Sequence, residues 1–98
     1  MTPQIGGVRP DAYGRHKRNG SMAFVEAKTE MDIDNRHTRR QLGQLAKTSV
    51  RPEGMPCELY IVIPRSAAYK LDKVLIDLSL INAKHIRRIH VPSVLIQR

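Results

Sequence analysis

Arg9-Pro10-Asp11-Ala12-Tyr13 and, downstream, Ala23-Phe24-Val25-Glu26-Ala27-Lys28-Thr29 decide how this chain is read. Both stretches read as β-strands. Lys17-Arg18-Asn19-Gly20-Ser21 between them is turn material, because Asn-Gly tolerates the positive φ that a tight hairpin demands. The expected hairpin spans roughly residues 8–29. Side chains alternate across a strand, so Met22, Phe24, Glu26 and Lys28 share one face while Ala23, Val25 and Ala27 share the other. Both faces are mostly apolar, which puts the strand inside a domain, where an ionised carboxylate is costly unless something positive meets it. Glu26 therefore needs a partner. Lys28 on the same face is one candidate, and a divalent metal shared with Asp11 of the opposing strand is another. A plain ion pair at the end of a core strand meets the same need.

Pro10-Asp11, a hairpin, and Glu26-Ala27-Lys28 closing an apolar strand together resemble the active-site signature of the PD-(D/E)XK nuclease superfamily, the restriction-endonuclease-like fold. The resemblance implies that Asp11 and Glu26 ligate Mg²⁺ (or Mn²⁺), that the backbone carbonyl of Ala27 adds a ligand, and that Lys28 orients or polarises the attacking water. It also points to Gln41, since several branches of the superfamily place a Gln on the helix that follows Glu-x-Lys, with Gln44 as the competing choice. The chemistry fits independently of the family. Phosphodiester hydrolysis needs hard oxygen ligands for Mg²⁺, a water made more acidic by the metal, and a cation near the charge that develops on the phosphate. In one respect the chain departs from the pattern. The superfamily carries a helix and a first strand ahead of the Pro-Asp strand, and the ten residues before Asp11 cannot supply both. A minimal or N-terminally truncated member is expected.

Composition sets the outer bounds. Ninety-eight residues, 41% hydrophobic and 27% charged, make a single domain over residues 1–98, large enough for one core and too small for two. Phe24, Tyr13, Tyr60 and Tyr69 are the only aromatic residues, so the core is aliphatic. Seventeen Lys and Arg against nine Asp and Glu leave a formal net charge of +8, which favours a polyanionic partner, DNA above all. Arg15, Lys17 and Arg18 at the hairpin tip and Arg36, Arg39, Arg40 and Lys47 further on are the candidate phosphate contacts, and a solvated surface is the competing reading of each. Cys57 is the only cysteine, which excludes an internal disulfide and suits a buried thiol in a reducing compartment. His16, His37, His85 and His90 lack the spacing of a zinc site. No apolar run approaches a membrane span and no signal-peptide layout is present, so a cytoplasmic protein is expected.

Beyond the hairpin, Glu30-Met31-Asp32-Ile33-Asp34-Asn35 is acidic and ends in good capping residues, predicting a helix from about residue 35 to 48 or 49. Leu42, Leu45 and Ala46 mark its buried side. Arg36, Arg40, Gly43 and Lys47 recur at helical spacing on a basic side. Residues 50–56, with Pro52, Gly54 and Pro56, read as a loop. Glu58-Leu59-Tyr60-Ile61-Val62-Ile63 is a nearly continuous apolar run, the pattern of a strand buried on both faces, and its place after a helix implies a right-handed parallel crossover from the Glu26 strand. Ser66 is expected to cap a helix reaching about residue 80, with Ala67, Ala68, Leu71, Val74, Leu75 and Leu78 inward and Tyr69, Ile76 and Leu80 on a second, uncovered side. Residues 86–91, interrupted by Arg87 and Arg88 and stopped by Pro92, predict an edge strand.

The order hairpin, helix, strand, helix, strand gives an α/β domain with a mixed central β-sheet and flanking helices. The expected function is Mg²⁺-dependent cleavage of DNA. A non-catalytic DNA-binding module on the same fold, or a structural nucleic-acid-associated protein, is the alternative. An open sheet edge near residues 8–13 and the uncovered helix side lead us to expect either a homodimer or a preceding segment of a longer protein to fill them.

Overall fold

In the computed structural model, residues 9–15, 18, 21–50 and 55–92 are described. Pro10 brings no N–H to a ladder. Pairing accordingly starts beyond it, and strand β1 (Ala12–Arg15) lies later than the 9–13 stretch predicted, taking in Arg15 from the expected hairpin tip. It runs antiparallel to β2 (Met22–Ala27), with Tyr13 opposite Phe24 and Arg15 opposite Met22. Of the basic tip, Arg15 lies exposed at the end of β1 and Arg18 lies exposed in a turn, whereas His16 and Lys17 fall outside the described residues.

The acidic stretch after β2 forms a short helix of its own, α1 (Glu30–Ile33), rather than merely preceding one. The chain then turns a tight corner. Asn35 accepts a hydrogen bond from Thr38 N at 2.7 Å and donates to the Asp32 carbonyl at 3.0 Å, and the Thr38 hydroxyl donates to that same carbonyl. This is why Thr38, a polar residue with no apolar signal, is wholly buried. With Asn35 as its cap, α2 (Arg36–Lys47) closely matches its predicted bounds.

The expected loop at 50–56 carries a two-stranded ribbon at its ends, β3 (Ser49–Val50) against β4 (Met55–Pro56). Strand β5 (Glu58–Pro64) follows and pairs parallel to β2, placing Glu26 beside Ile61 and Ala27 beside Val62. A 3-10 turn, Arg65–Ala67, then leads into α3 (Ala68–Asp77). Ser66 is not its cap; that hydroxyl donates to the Glu30 carboxylate of α1 at 2.8 Å. The helix also ends before residue 80. Ser79 adopts φ 62, and the Leu80 N–H returns to the Leu75 carbonyl at 2.7 Å, closing the helix in the manner usually left to glycine. That turn swings Leu80 onto the core, so it does not belong with the exposed Tyr69 and Ile76 as expected. Strand β6 (Ile86–Val91) completes the sheet in the order β1-β2-β5-β6, parallel to β5 and at the edge as predicted.

All three α-helices contribute to one core, built on Phe24, Leu59, Ile61 and Ile63 of the sheet with Ile33, Leu42, Leu45, Leu71, Val74 and Leu75 packed over them. Among the described residues, the other sheet face joins no part of that core. Glu58, Tyr60 and Val62 are only half-buried, so β5 is covered on one face rather than two. Glu58 there accepts from the Tyr60 hydroxyl at 2.7 Å and pairs with Arg87 at 3.3 Å. No helix of the described residues is long and apolar enough to cross a membrane.

Candidate active site

The end of β2 lies beneath α2, and four of the residues singled out from the sequence meet there. Phe24, Glu26 and Lys28 follow one another on the core-facing side at the spacing of alternate strand residues, and all three are buried. Asp11 comes in from the bend before β1. Its own N–H donates to Glu26 Oε1 at 2.9 Å, and its Oδ2 accepts from the Ala27 N–H at 2.8 Å. The two acidic residues are thus laced together across the hairpin, and neither can turn away without breaking a hydrogen bond. Lys28 Nζ lies 3.6 Å from Glu26 Oε2 and donates to Gln41 Oε1 at 2.7 Å. Gln41, not Gln44, is the helix residue that reaches the site. Its Nε2 donates in turn to the Arg9 carbonyl at 3.3 Å, tying α2 to the segment that carries Asp11.

The electrostatics of this cluster are unbalanced. Glu26 is completely buried, and its Oε2 accepts no hydrogen bond. Burial, reinforced by the neighbouring Asp11 carboxylate, pushes Glu26 from its ordinary 4.5 up to about 7, although the Lys28 ammonium pulls the other way. One lysine does not offset two carboxylates and the loss of water. A hard divalent cation would, and the donor chemistry fits Mg²⁺, which takes one or two carboxylates and keeps several waters. Asp11 and Glu26, with the Ala27 carbonyl between Glu26 and Lys28 in the chain, are the residues that would hold it. They do not amount to a cage of protein side chains. No group of three or more His, Cys, Asp or Glu side chains suited to a metal occurs among the described residues.

A pH dependence of stability follows. Glu26 ionises near 4.5 in the unfolded chain and near 7 in the fold. Below that window the group is neutral in both states; within it the unfolded chain gives up its proton first, so stability falls as pH rises and stays at its lower value above 7. The contribution is about 3 kcal/mol, from a window of about two and a half pH units. Urea unfolding in EDTA should therefore show the stability of Glu26→Gln relative to wild type growing by about that amount across the window. A constant difference would remove the buried-charge account.

The basic residues divide into two kinds. Arg39 is not available to a ligand as the others are. It bridges Asp34 and Asp77, both at 2.8 Å, and Lys73 joins Asp34 at 3.3 Å, so this network staples the start of α2 to the end of α3. Hydrogen bonds from Arg39 and then Lys73 hold the Asp34 carboxyl below its ordinary value, and those with Asp34 and Asp77 raise Arg39. Arg36, Arg40 and Lys47 by contrast are exposed on the outward face of α2, with Arg40 about 100° round the helix from Gln41. Arg15 and Arg18 are exposed at the hairpin. If DNA lies against the outward face of α2, replacing Arg36 or Arg40 by Ala should each lower the slope of log K against log salt by about one, whereas Arg39→Ala should leave the slope unchanged. Anisotropy titrations over a salt series check this, and equal slopes throughout would assign the stripe to solvent.

Sequence reasoning passed over Arg9, whose main-chain carbonyl positions Gln41. No side-chain pattern could have announced it. Tyr13 was passed over too, although alternation along 11–15 places it and Arg15 on the Asp11 side. No family model, curated protein or solved structure matches the chain.

Proposed function

We propose that the protein is a Mg²⁺-dependent nuclease that hydrolyses phosphodiester bonds of DNA, working as PD-(D/E)XK enzymes do. The observation that carries this reading is the convergence of Asp11, Glu26, Lys28 and Gln41, with a buried, unsatisfied Glu26 oxygen at the centre. An ion pair made for stability alone would not bring a second carboxylate up against the first. Mg²⁺, when bound, supplies Lewis acidity toward the phosphate and makes water a better nucleophile at neutral pH.

The chain's own residues do the rest. Asp11 and Glu26 would hold the cation, each fixed by a main-chain N–H so that little reorganisation is left to the moment of reaction. Lys28 orients the attacking water and faces the charge that builds on the phosphate. Gln41 holds that ammonium in place through a buried 2.7 Å hydrogen bond. The +8 chain draws the polyanion in. The association expected from the sequence rests on β1 at the sheet edge and on Tyr69 and Ile76, 64% and 58% exposed on α3. Sedimentation over a concentration series tests it.

Incubation with plasmid and branched DNA, in Mg²⁺ and then in EDTA, tests the activity. Nicking or linearisation that needs Mg²⁺ and is absent from the Asp11→Ala protein supports the proposal. DNA binding without cleavage under all conditions assigns the chain to the non-catalytic alternative, and absence of both refutes the reading.

A further inference from the structure

The hairpin continues past the carboxylates, and what it carries there is ordered. Side chains directly opposite in an antiparallel pair point to the same side of the sheet. Tyr13, opposite Phe24, and Arg15, opposite Met22, therefore share the side of Glu26. At about 3.4 Å per residue, Tyr13 lies roughly 7 Å and Arg15 roughly 14 Å further along the strand direction than the level of Glu26. Among the described residues strand β1 is the outermost of the sheet, and Tyr13 is 47% exposed upon it. None of the other aromatic residues is so disposed. Phe24 is buried, Tyr60 is bonded to Glu58 on the other sheet face, and Tyr69 projects from α3.

Moving outward from the buried Glu26, the hairpin thus presents the exposed Asp11, an exposed ring and an exposed guanidinium. A nucleic-acid strand presents a matching sequence of a phosphate, a base and a further phosphate. A ring can stack on a base only when the base's own neighbours do not, which in a duplex they do; an unpaired base can be splayed onto it. The backbone that carries the ring is also anchored at its start. The Gln41 bond to the Arg9 carbonyl and the Asp11 bonds to β2 anchor the segment from which β1 starts. A platform fixed in that way costs little to order on binding.

We propose that Tyr13 is a substrate-binding residue that stacks on an unpaired base next to the scissile phosphate, with Arg15 on a phosphate beyond it, so that the site takes single-stranded or frayed DNA in preference to intact duplex. This rests on the nuclease reading for what the carboxylates hold, but it is tested apart from cleavage. Labelled single-stranded and blunt duplex oligonucleotides are titrated in EDTA with wild type, Tyr13→Phe and Tyr13→Ala. Tyr13→Ala should weaken single-strand binding about tenfold or more, Tyr13→Phe should retain it, and duplex binding should change little in either. Moving one abasic position along the oligonucleotide should locate a site where wild type loses the same factor and Tyr13→Ala loses nothing further. Circular dichroism of each variant confirms that the exposed position leaves the fold intact. An equal loss on duplex and single strand, or no loss at all, overturns the proposal. The expected pattern without cleavage in any metal would retain the stacking site and overturn the nuclease reading alone.

Discussion

Glu26→Gln is expected to lose Mg²⁺-dependent cleavage and to gain stability in the same step. The loss would be on the order of 10³-fold, the size expected if a metal that would carry several kcal/mol of transition-state stabilisation were deprived of one of its two carboxylates. The gain arises because Gln has no charge to desolvate, whereas Glu26 above pH 7 holds a buried carboxylate beside that of Asp11. Without divalent cation the variant should melt several degrees higher than wild type in that range, even though Lys28 keeps only Gln41 and a neutral neighbour. Adding Mg²⁺ should raise the wild-type melting temperature and leave the variant where it was, since on the proposed reading only wild type would bind the ion through this oxygen. Calorimetry at matched pH, with and without Mg²⁺, reads all of these shifts. A variant less stable than wild type above pH 7 would show that the Lys28 ion pair outweighs the desolvation of Glu26, and would return the site to a structural role.

The second large effect concerns the residue next to the site on the same strand face. Phe24→Ala should cost about 3–5 kcal/mol, since the ring is fully buried and the only phenylalanine of an otherwise aliphatic core. A small domain has about 5–15 kcal/mol in total, so the variant should be close to unfolded at physiological temperature. Urea titration followed by far-ultraviolet circular dichroism measures it. Phe24→Leu should cost markedly less, because it leaves a smaller hole. If the two variants behave alike, the cavity is not what matters, and the packing of β2 against the helices has been misassigned.

How far the sequence foretold this arrangement depends on how local the signal was. Alternation from Met22 to Lys28 was legible because burial on one side imposes it residue by residue. The Asn35 cap was legible because Asn immediately before a helical repeat has one common reason to be there. That Gln41 meets Glu26 and Lys28 was legible only through a resemblance, since residues 13 and 15 apart carry no mutual spacing rule. The run in β5 misled for a different reason. Tyr60 and Val62 look as apolar as Leu59 and Ile61, and only the sheet's lack of a second layer among the described residues separates the two sets. Ser66 misled because a serine ahead of a helix is an ordinary cap, and its actual partner, Glu30, lies 36 residues away.

The parallel pairing of β2 with β5 has a kinetic consequence. Asp11 and Glu26 are brought together by a hairpin, whose closing is a microsecond event. Glu26 is buried, however, only once β5 has come alongside β2, and the bond from Lys28 N to the Val62 carbonyl spans 34 residues with α1, α2 and the β3–β4 ribbon in between. Pairing across such a loop is slow, because the entropy of closing it is lost before the contacts form. During refolding the two carboxylates should therefore adjoin while still wet, with Glu26 near its ordinary acidity, and acquire their abnormal proton affinity only as the last strands dock. Proton uptake recorded in a stopped-flow experiment between pH 4.5 and 7 would then time the completion of the sheet, with a single carboxylate as the clock.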